Sequence, residues 1–145
     1  MRGLWMLAVA ALLGACSTVP ANSRGWIEPV DAVRAANEDP GNGVRGEFIV
    51  TVRATGAELG RVFLNSEADY RDQRNLTVNL SAVIVPELEQ RLGVPLADLR
   101  NRRLVVRGIA RRVRIDFISE GRPSGKYYYQ THVRVDDARQ IRFAE

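Results

Sequence analysis

The feature that most constrains the fold is the run Arg102-Arg103-Leu104-Val105-Val106-Arg107-Gly108-Ile109-Ala110-Arg111-Arg112-Val113-Arg114-Ile115-Asp116-Phe117. It is the longest strand-like stretch of the chain, rich in β-branched residues, and also its most basic. Side chains on a strand alternate between two faces. Leu104, Val106, Gly108 and Ala110 therefore form one apolar or small face, against Arg103, Arg107 and Arg111. Past Ala110 the phase inverts: Val113, Ile115 and Phe117 are apolar, while Arg112, Arg114 and Asp116 are polar. One flat strand cannot place both sets in a single core. The sequence thus calls for a bulge or sharp bend near Gly108 to Arg112, or for two strands meeting there. Strongly coiled strands of this kind belong to small closed barrels.

The chain begins with the marks of a leader. Met1-Arg2 is positive, Leu4 to Leu13 is an apolar run too short to span a bilayer, and small residues follow. Residues 1–15 read as a signal peptide. The junction Leu13-Gly14-Ala15-Cys16 resembles the lipobox of bacterial lipoproteins, in which the leader is cut before a cysteine that is then acylated. That resemblance makes Cys16 the lipidated N-terminus and the membrane the first partner. By resemblance to enterobacterial lipoprotein sorting, Ser17 rather than an aspartate after the cysteine implies the outer membrane, facing the periplasm. The alternatives are an ordinary secreted protein cut nearby and an N-terminal membrane anchor. Cys16 is the only cysteine, so no internal disulfide can form.

Residues 16–43, with Pro20, Pro29, Pro40 and the loop Asp39-Pro40-Gly41-Asn42-Gly43, read as a flexible tether holding the domain on the order of 30 Å from the lipid. A helical turn over Val30 to Ala36, and packing of Trp26 and Ile27 on the domain, are compatible with the pattern. Residues 44–145 form the domain. Phe48, Val50 and Val52 mark the first strand, Thr55 to Gly60 a turn, Arg61 to Asn65 the second strand, and Leu76, Val78 and Leu80 the third. One helix follows: Pro86 suits its start, Gly93 its end, and Leu88 and Leu92 share a face. The basic run is the fourth strand. Ser119 to Gly125 reads as an exposed hairpin loop, and Lys126 to Val135 as the fifth strand, with Tyr127, Tyr129, Thr131, Val133 and Val135 on its core side. Ile141 and Phe143 end the chain in a short strand.

Three strands, a helix and two strands give an all-β fold class with one short helix, ordered as in the five-stranded Greek-key barrel of the OB-fold. Asn65 after Val62-Phe63-Leu64, then Leu76-Thr77-Val78, then Leu99 to Gly108 ending in Val106-Arg107-Gly108, is similar to the small OB-fold domains found with thermonuclease-like proteins and bacterial lipoproteins. His132 and Gln140-Ile141 are comparable to that pattern's ending. Asn101 stands where glycine is usual, and Lys126-Tyr127-Tyr128-Tyr129 replaces a short Gly-Pro hairpin.

The charge is asymmetric. Ser17 to Gln90 carries a net charge of −4 and Arg91 to Glu145 one of +7. This suits an anionic polymer as partner, or merely a solvated surface. Catalysis finds little support: His132 is the only histidine and reads as a satisfied strand residue, no nucleophile elbow is present, and the usual zinc sets are excluded. No cofactor or metal is expected, although Glu67, Asp69 and Asp72 form an acidic loop cluster. A divergent calcium-dependent nuclease would have to use that cluster, and no stretch matches the thermonuclease motif. The chain therefore reads as a non-enzymatic binding module. Its ligand would be single-stranded nucleic acid or glycan, held by Phe63 and Tyr70 as stacking residues and by Arg61, Arg71, Arg74, Arg111, Arg112 and Arg114 as cations. A structural lipoprotein docking on an envelope protein complex is the alternative.

Overall fold

A computed structural model describes residues 18–145; the leader and Cys16 lie outside the described residues. Over the described residues the fold is mostly β, with two short α-helices. In chain order the elements are α1 (Pro29–Glu38), β1 (Val44–Thr51), β2 (Ala54–Glu58), β3 (Arg61–Asn65), β4 (Leu76–Ser81), α2 (Val85–Leu92), β5 (Arg103–Ser119), β6 (Arg122–Val135) and β7 (Ile141–Phe143), with 3-10 turns at Ala82–Ile84, Leu96–Leu99 and Ala138–Gln140.

The strands form one seven-stranded sheet in the order β1-β5-β6-β4-β3-β2, with β7 alongside β5. All neighbours are antiparallel except β4 and β6. A five-stranded barrel with a last short strand at Ile141 and Phe143 was expected; the described residues form seven strands, β7 at the expected place and β2 the addition, and no ladder joins β1 to β2 to close the sheet. Thr55 to Gly60 is not a turn but mostly β2. The reversal is confined to Leu59 and Gly60, both at positive φ, as a two-residue hairpin between twisted strands requires. The expected loop Ser119 to Gly125 shrinks likewise to Glu120-Gly121, and Ser119 pairs directly with Arg122.

The core is where the alternation put it. Phe48, Val50, Leu64, Leu76, Val78, Leu80, Leu104, Val106, Val133 and Val135 are fully buried, closed at one end by Leu88 of α2 and Leu99. The helix α2 agrees with its sequence signals, with a proline in its first turn and Gly93 at φ 71° as its left-handed cap. Gly108 sits where β5 crosses β6 closely: a Cβ there would lie 2.8 Å from Val133 Cγ1.

The tether expectation is corrected for its second half. Ile27 bridges to Phe48 in the sheet, and Trp26 is buried against Ile49 and Val105 on the opposite face. In α1, Ala32 and Ala36, four residues apart and both fully buried, let the helix lie close on β1 and β5. Its polar side is laced by Arg34 with Asp31 and Glu38. Val19 packs on the same core and Asn22 is hydrogen-bonded to Trp26, so chain ahead of Trp26 also lies on the domain.

The long basic strand brings the main surprise. β5 is a single strand of 17 residues, and its register slips only between Asp116 and Ile118, not near Gly108 to Arg112. The phase never inverts. Instead the strand outruns the core: past Ala110 the face that carried Leu104 and Val106 carries Arg112 and Arg114, with no core left beneath it. β5 and β6 continue as a two-stranded arm, paired with β1 and β4 only at the arm's base.

Candidate binding face

The outward face of β3, β4 and β6 carries a chain of hydrogen bonds that begins at Arg61. Its Nε donates to Asn79 Oδ1 at 2.6 Å, which turns the Asn79 amide nitrogen toward His132 Nδ1, 3.3 Å away. Because Nδ1 must accept there, Nε2 carries the proton and donates to Gln130 Oε1 at 2.7 Å. Gln130 Nε2 in turn donates to Tyr128 Oη at 2.7 Å. Every group is oriented by its neighbour, and the relay ends on a phenol whose own proton is left to donate outward. Cross-strand pairing makes the arrangement possible: Asn79 lies opposite Arg134, Thr77 opposite His132, and residues 128, 130 and 132 share one face of β6.

Burial pushes the pKa of His132 down to about 4, and the nearby Arg61 charge pushes the same way. Protonating Nδ1 would also set N–H against N–H at Asn79. The imidazole is thus a neutral fixture of the relay. Tyr128 is raised, first by burial, against the lowering effect of the Gln130 hydrogen bond; Tyr70, Arg71 and Asp69 of the loop between β3 and β4 are close enough to act on it too.

Aromatic rings follow the relay. Phe63 lies 6.3 Å from His132, and Tyr128 lies 5.3 Å from Phe117, each pair tilted. The loop brings up Tyr70, exposed, with the Arg71 guanidinium stacked 4.9 Å from its ring. A buried polar knot holds this loop: Asn75 Nδ2 donates to Asn65 Oδ1 and Thr77 Oγ1, Thr77 Oγ1 donates to Asn65 Oδ1 at 2.8 Å, and Ser66 Oγ accepts from the Leu76 amide. Among the described residues no buried side-chain polar atom is left without a partner. The result is a set of rings on one face, half-buried Phe63 and Tyr128, buried His132 and exposed Phe117, flanked by Tyr70 and Arg71.

The structure does not bring the eight sequence candidates together. Phe63, Tyr70 and Arg71 belong to this face. Arg61 begins the relay on this face, its charge committed to Asp136 at 2.9 Å. Arg74 is turned back onto Asp72 in the loop, at 2.8 Å. Arg111 lies across from His132 but donates to the Gly41 carbonyl. Arg112 and Arg114 point to the other side of the arm, where they stack on Tyr129 at 4.3 Å and Tyr127 at 4.1 Å. Both tyrosines were expected in the core; they are exposed, because the arm projects past it. Among the described residues no three His, Cys, Asp or Glu side chains converge as a metal ion would require.

The sequence reading missed Asn79, Gln130, Tyr128 and Phe117. The signal was present in part, since Tyr128, Gln130 and His132 alternate on the polar side of β6. Phe117 was read as core because of the supposed bend. Comparison with protein-family models and with curated proteins found no match in either.

Proposed function

We propose that this chain is a lipid-anchored envelope protein whose β domain binds an anionic, ring-bearing polymer, single-stranded nucleic acid or acidic glycan, along the outward face of β3, β4 and β6. One observation carries the reading: rings from three strands share a face on which Arg61, Asn79, His132, Gln130 and Tyr128 are linked in one hydrogen-bond relay. Stacking against exposed rings contributes about 1–3 kcal/mol per base and tolerates any sequence, while cations beside the rings follow the backbone charge. Arg71 on Tyr70 supplies such a cation at the rim. A prealigned relay keeps the donor end of Tyr128 in place before the ligand arrives, which lowers the ordering cost of binding. The arrangement holds and positions; no nucleophile with an oriented base is among its residues, so the proposal is a binding role without catalysis.

An OB-like ancestry fits this use. In favour of it, β1 and β2 are separated only by Val52 and Arg53, so the two ends of the sheet path are consecutive in the chain. Val52 donates to the Arg102 carbonyl on one side, and Arg53 donates to the Asn65 carbonyl on the other. Taken as one bent strand, β1 and β2 leave an order in which the third and last long strands run parallel, as β4 and β6 do, with α2 between β4 and β5.

The anchor rests on the Leu13-Gly14-Ala15-Cys16 junction. Metabolic palmitate labelling of the full chain, lost in Cys16→Ala, tests it; labelling that persists refutes it. For the binding face the experiment is titration with single-stranded DNA and an acidic polysaccharide at low and moderate salt. Binding that weakens with salt supports the reading, and no binding to either polymer at low salt overturns it.

A further inference from the structure

Among the described residues, no strand neighbours either outer edge of the arm beyond Ala110. β1 pairs with β5 only as far as Val44 opposite Ala110, and β4 pairs with β6 only from Thr131 onward. The overhang from Arg111 to Ser119 extends roughly 30 Å at the usual rise per residue. A two-stranded ribbon of this kind is marginally stable in water, and this one exposes Phe117 and Ile118. Its edge is therefore suited to a further strand.

We propose that the strand it receives is the same edge of a second copy, paired antiparallel about a two-fold axis at Ile115. The Ala110 carbonyl faces the Gly43 end of β1, so the even-numbered residues of β5 turn their N–H and C=O groups to this edge. Arg114 in the single copy is bonded to its own Asp116 at 2.7 Å; centred on Ile115, the pairing sets Arg114 opposite Asp116 of the partner subunit, and Asp116 opposite the partner's Arg114, so that the two ion pairs join into one network, with every even-numbered facing residue able to form a ladder bond. Val113 then meets the partner's Phe117. The neighbouring registers fail. Centring on Val113 sets Arg112 against the partner's Arg114, centring on Arg114 pairs Arg112 with the partner's Asp116 but sets two Arg114 side chains against each other on the axis, and centring on Asp116 opposes two carboxylates. Charges on an edge strand ordinarily keep copies apart; here their order Arg112, Arg114, Asp116 makes one register self-complementary, as an isologous interface requires. A two-fold axis perpendicular to the ribbon also leaves Tyr128 and Phe117 of both copies on the same side.

The pairing is tested in the full chain in its membrane, without any ligand. In antiparallel pairs two facing residues whose ladder groups point away from each other bring their Cα atoms to about 4.5 Å, within the span of a disulfide. Ile115→Cys should give a covalent dimer under mild oxidation. Val113→Cys, whose own copy lies four positions away, should not; the unaltered chain, which carries only Cys16, is the background. Equal crosslinking at 113 and 115, no dimer above background, or an adduct with a different protein would each overturn the proposal. Independently, Arg114→Asp should weaken self-association by about tenfold, and Arg114→Asp combined with Asp116→Arg should restore it. Failure of the double exchange to recover the dimer contradicts the register.

Discussion

His132 ties the stability of the protein to pH in a way that can be worked out from its surroundings. It is the only histidine. In the fold, burial first and the Arg61 charge second push its pKa to about 4, against 6.5 for the free side chain. The unfolded chain therefore takes up a proton at mild acidity that the folded chain refuses. The neutral ring's contribution is complete above pH 6.5, is lost steadily as pH falls toward 4, and below that no further change comes from this group. The gap between 6.5 and about 4, at 1.36 kcal/mol per pH unit, amounts to on the order of 3 kcal/mol. The carboxylates act elsewhere. Asp72 is held down to about 2 by Arg74, and Asp39, Asp136 and Asp137 are lowered by Asn42, Arg61 and Arg139 respectively. Their contributions persist down to the ordinary carboxylate range and fade below it, so pH 4.5 to 7 belongs to His132. Urea unfolding at a series of pH values should show stability rising through this window in the native protein and flat in His132→Gln. Equal stability of the native protein at pH 4.5 and 7, or an unchanged slope in the variant, would refute the burial argument.

Other perturbations follow from the same geometry. Leu104→Ala removes a fully buried side chain from the centre of the sheet and should cost about 2–5 kcal/mol in chemical unfolding. Gly108→Ala, whose new methyl meets Val133 Cγ1 at 2.8 Å, should destabilise by about 1–3 kcal/mol. Ala36→Leu should cost a similar about 1–3 kcal/mol by forcing α1 off the sheet, whereas a free tether would be indifferent to it; thermal unfolding separates the two. Tyr128→Phe removes the last acceptor of the relay and the donor at its end. Polymer affinity should fall with the fold and the His132 titration retained, as binding assays beside the urea series would show.

Much of the fold was legible in local pattern. The alternation in β1, β4, β5 and β6 named the core, and Pro86 and Gly93 framed α2. What escaped notice depended on where the core stops. Arg112 and Arg114 have the phase of Leu104 and Val106, yet sequence alone cannot show that the strand has run past the hydrophobic layer, so a bend was needed to explain them. The same overrun carried Tyr127 and Tyr129 out of the core. A helical turn over Val30 to Ala36 was legible, but not that α1 runs from Pro29 to Glu38 and packs on the sheet, because alanine at 32 and 36 gives a weak apolar signal while packing more closely than a larger residue could. The turns at Leu59-Gly60 and Glu120-Gly121 lack the asparagine or aspartate that usually announces a two-residue hairpin. Of the binding face, Phe63 and Tyr70 were visible as aromatics outside the core. The relay was not, since it depends on the parallel pairing of β4 with β6, strands separated by α2 and the whole of β5.

The central claim is that the set of rings on β3, β6 and the arm is a polymer-binding track. Its most direct test is the affinity of the full chain for single-stranded DNA and for an acidic polysaccharide at low salt, set beside that of the Phe63→Ala, Tyr128→Ala double variant. With stacking contributing about 1–3 kcal/mol per ring, the double variant should lose at least tenfold in affinity for the polymer that binds, while retaining the cooperative unfolding of the native protein. Equal affinity in the two proteins, or no affinity in either, would contradict it.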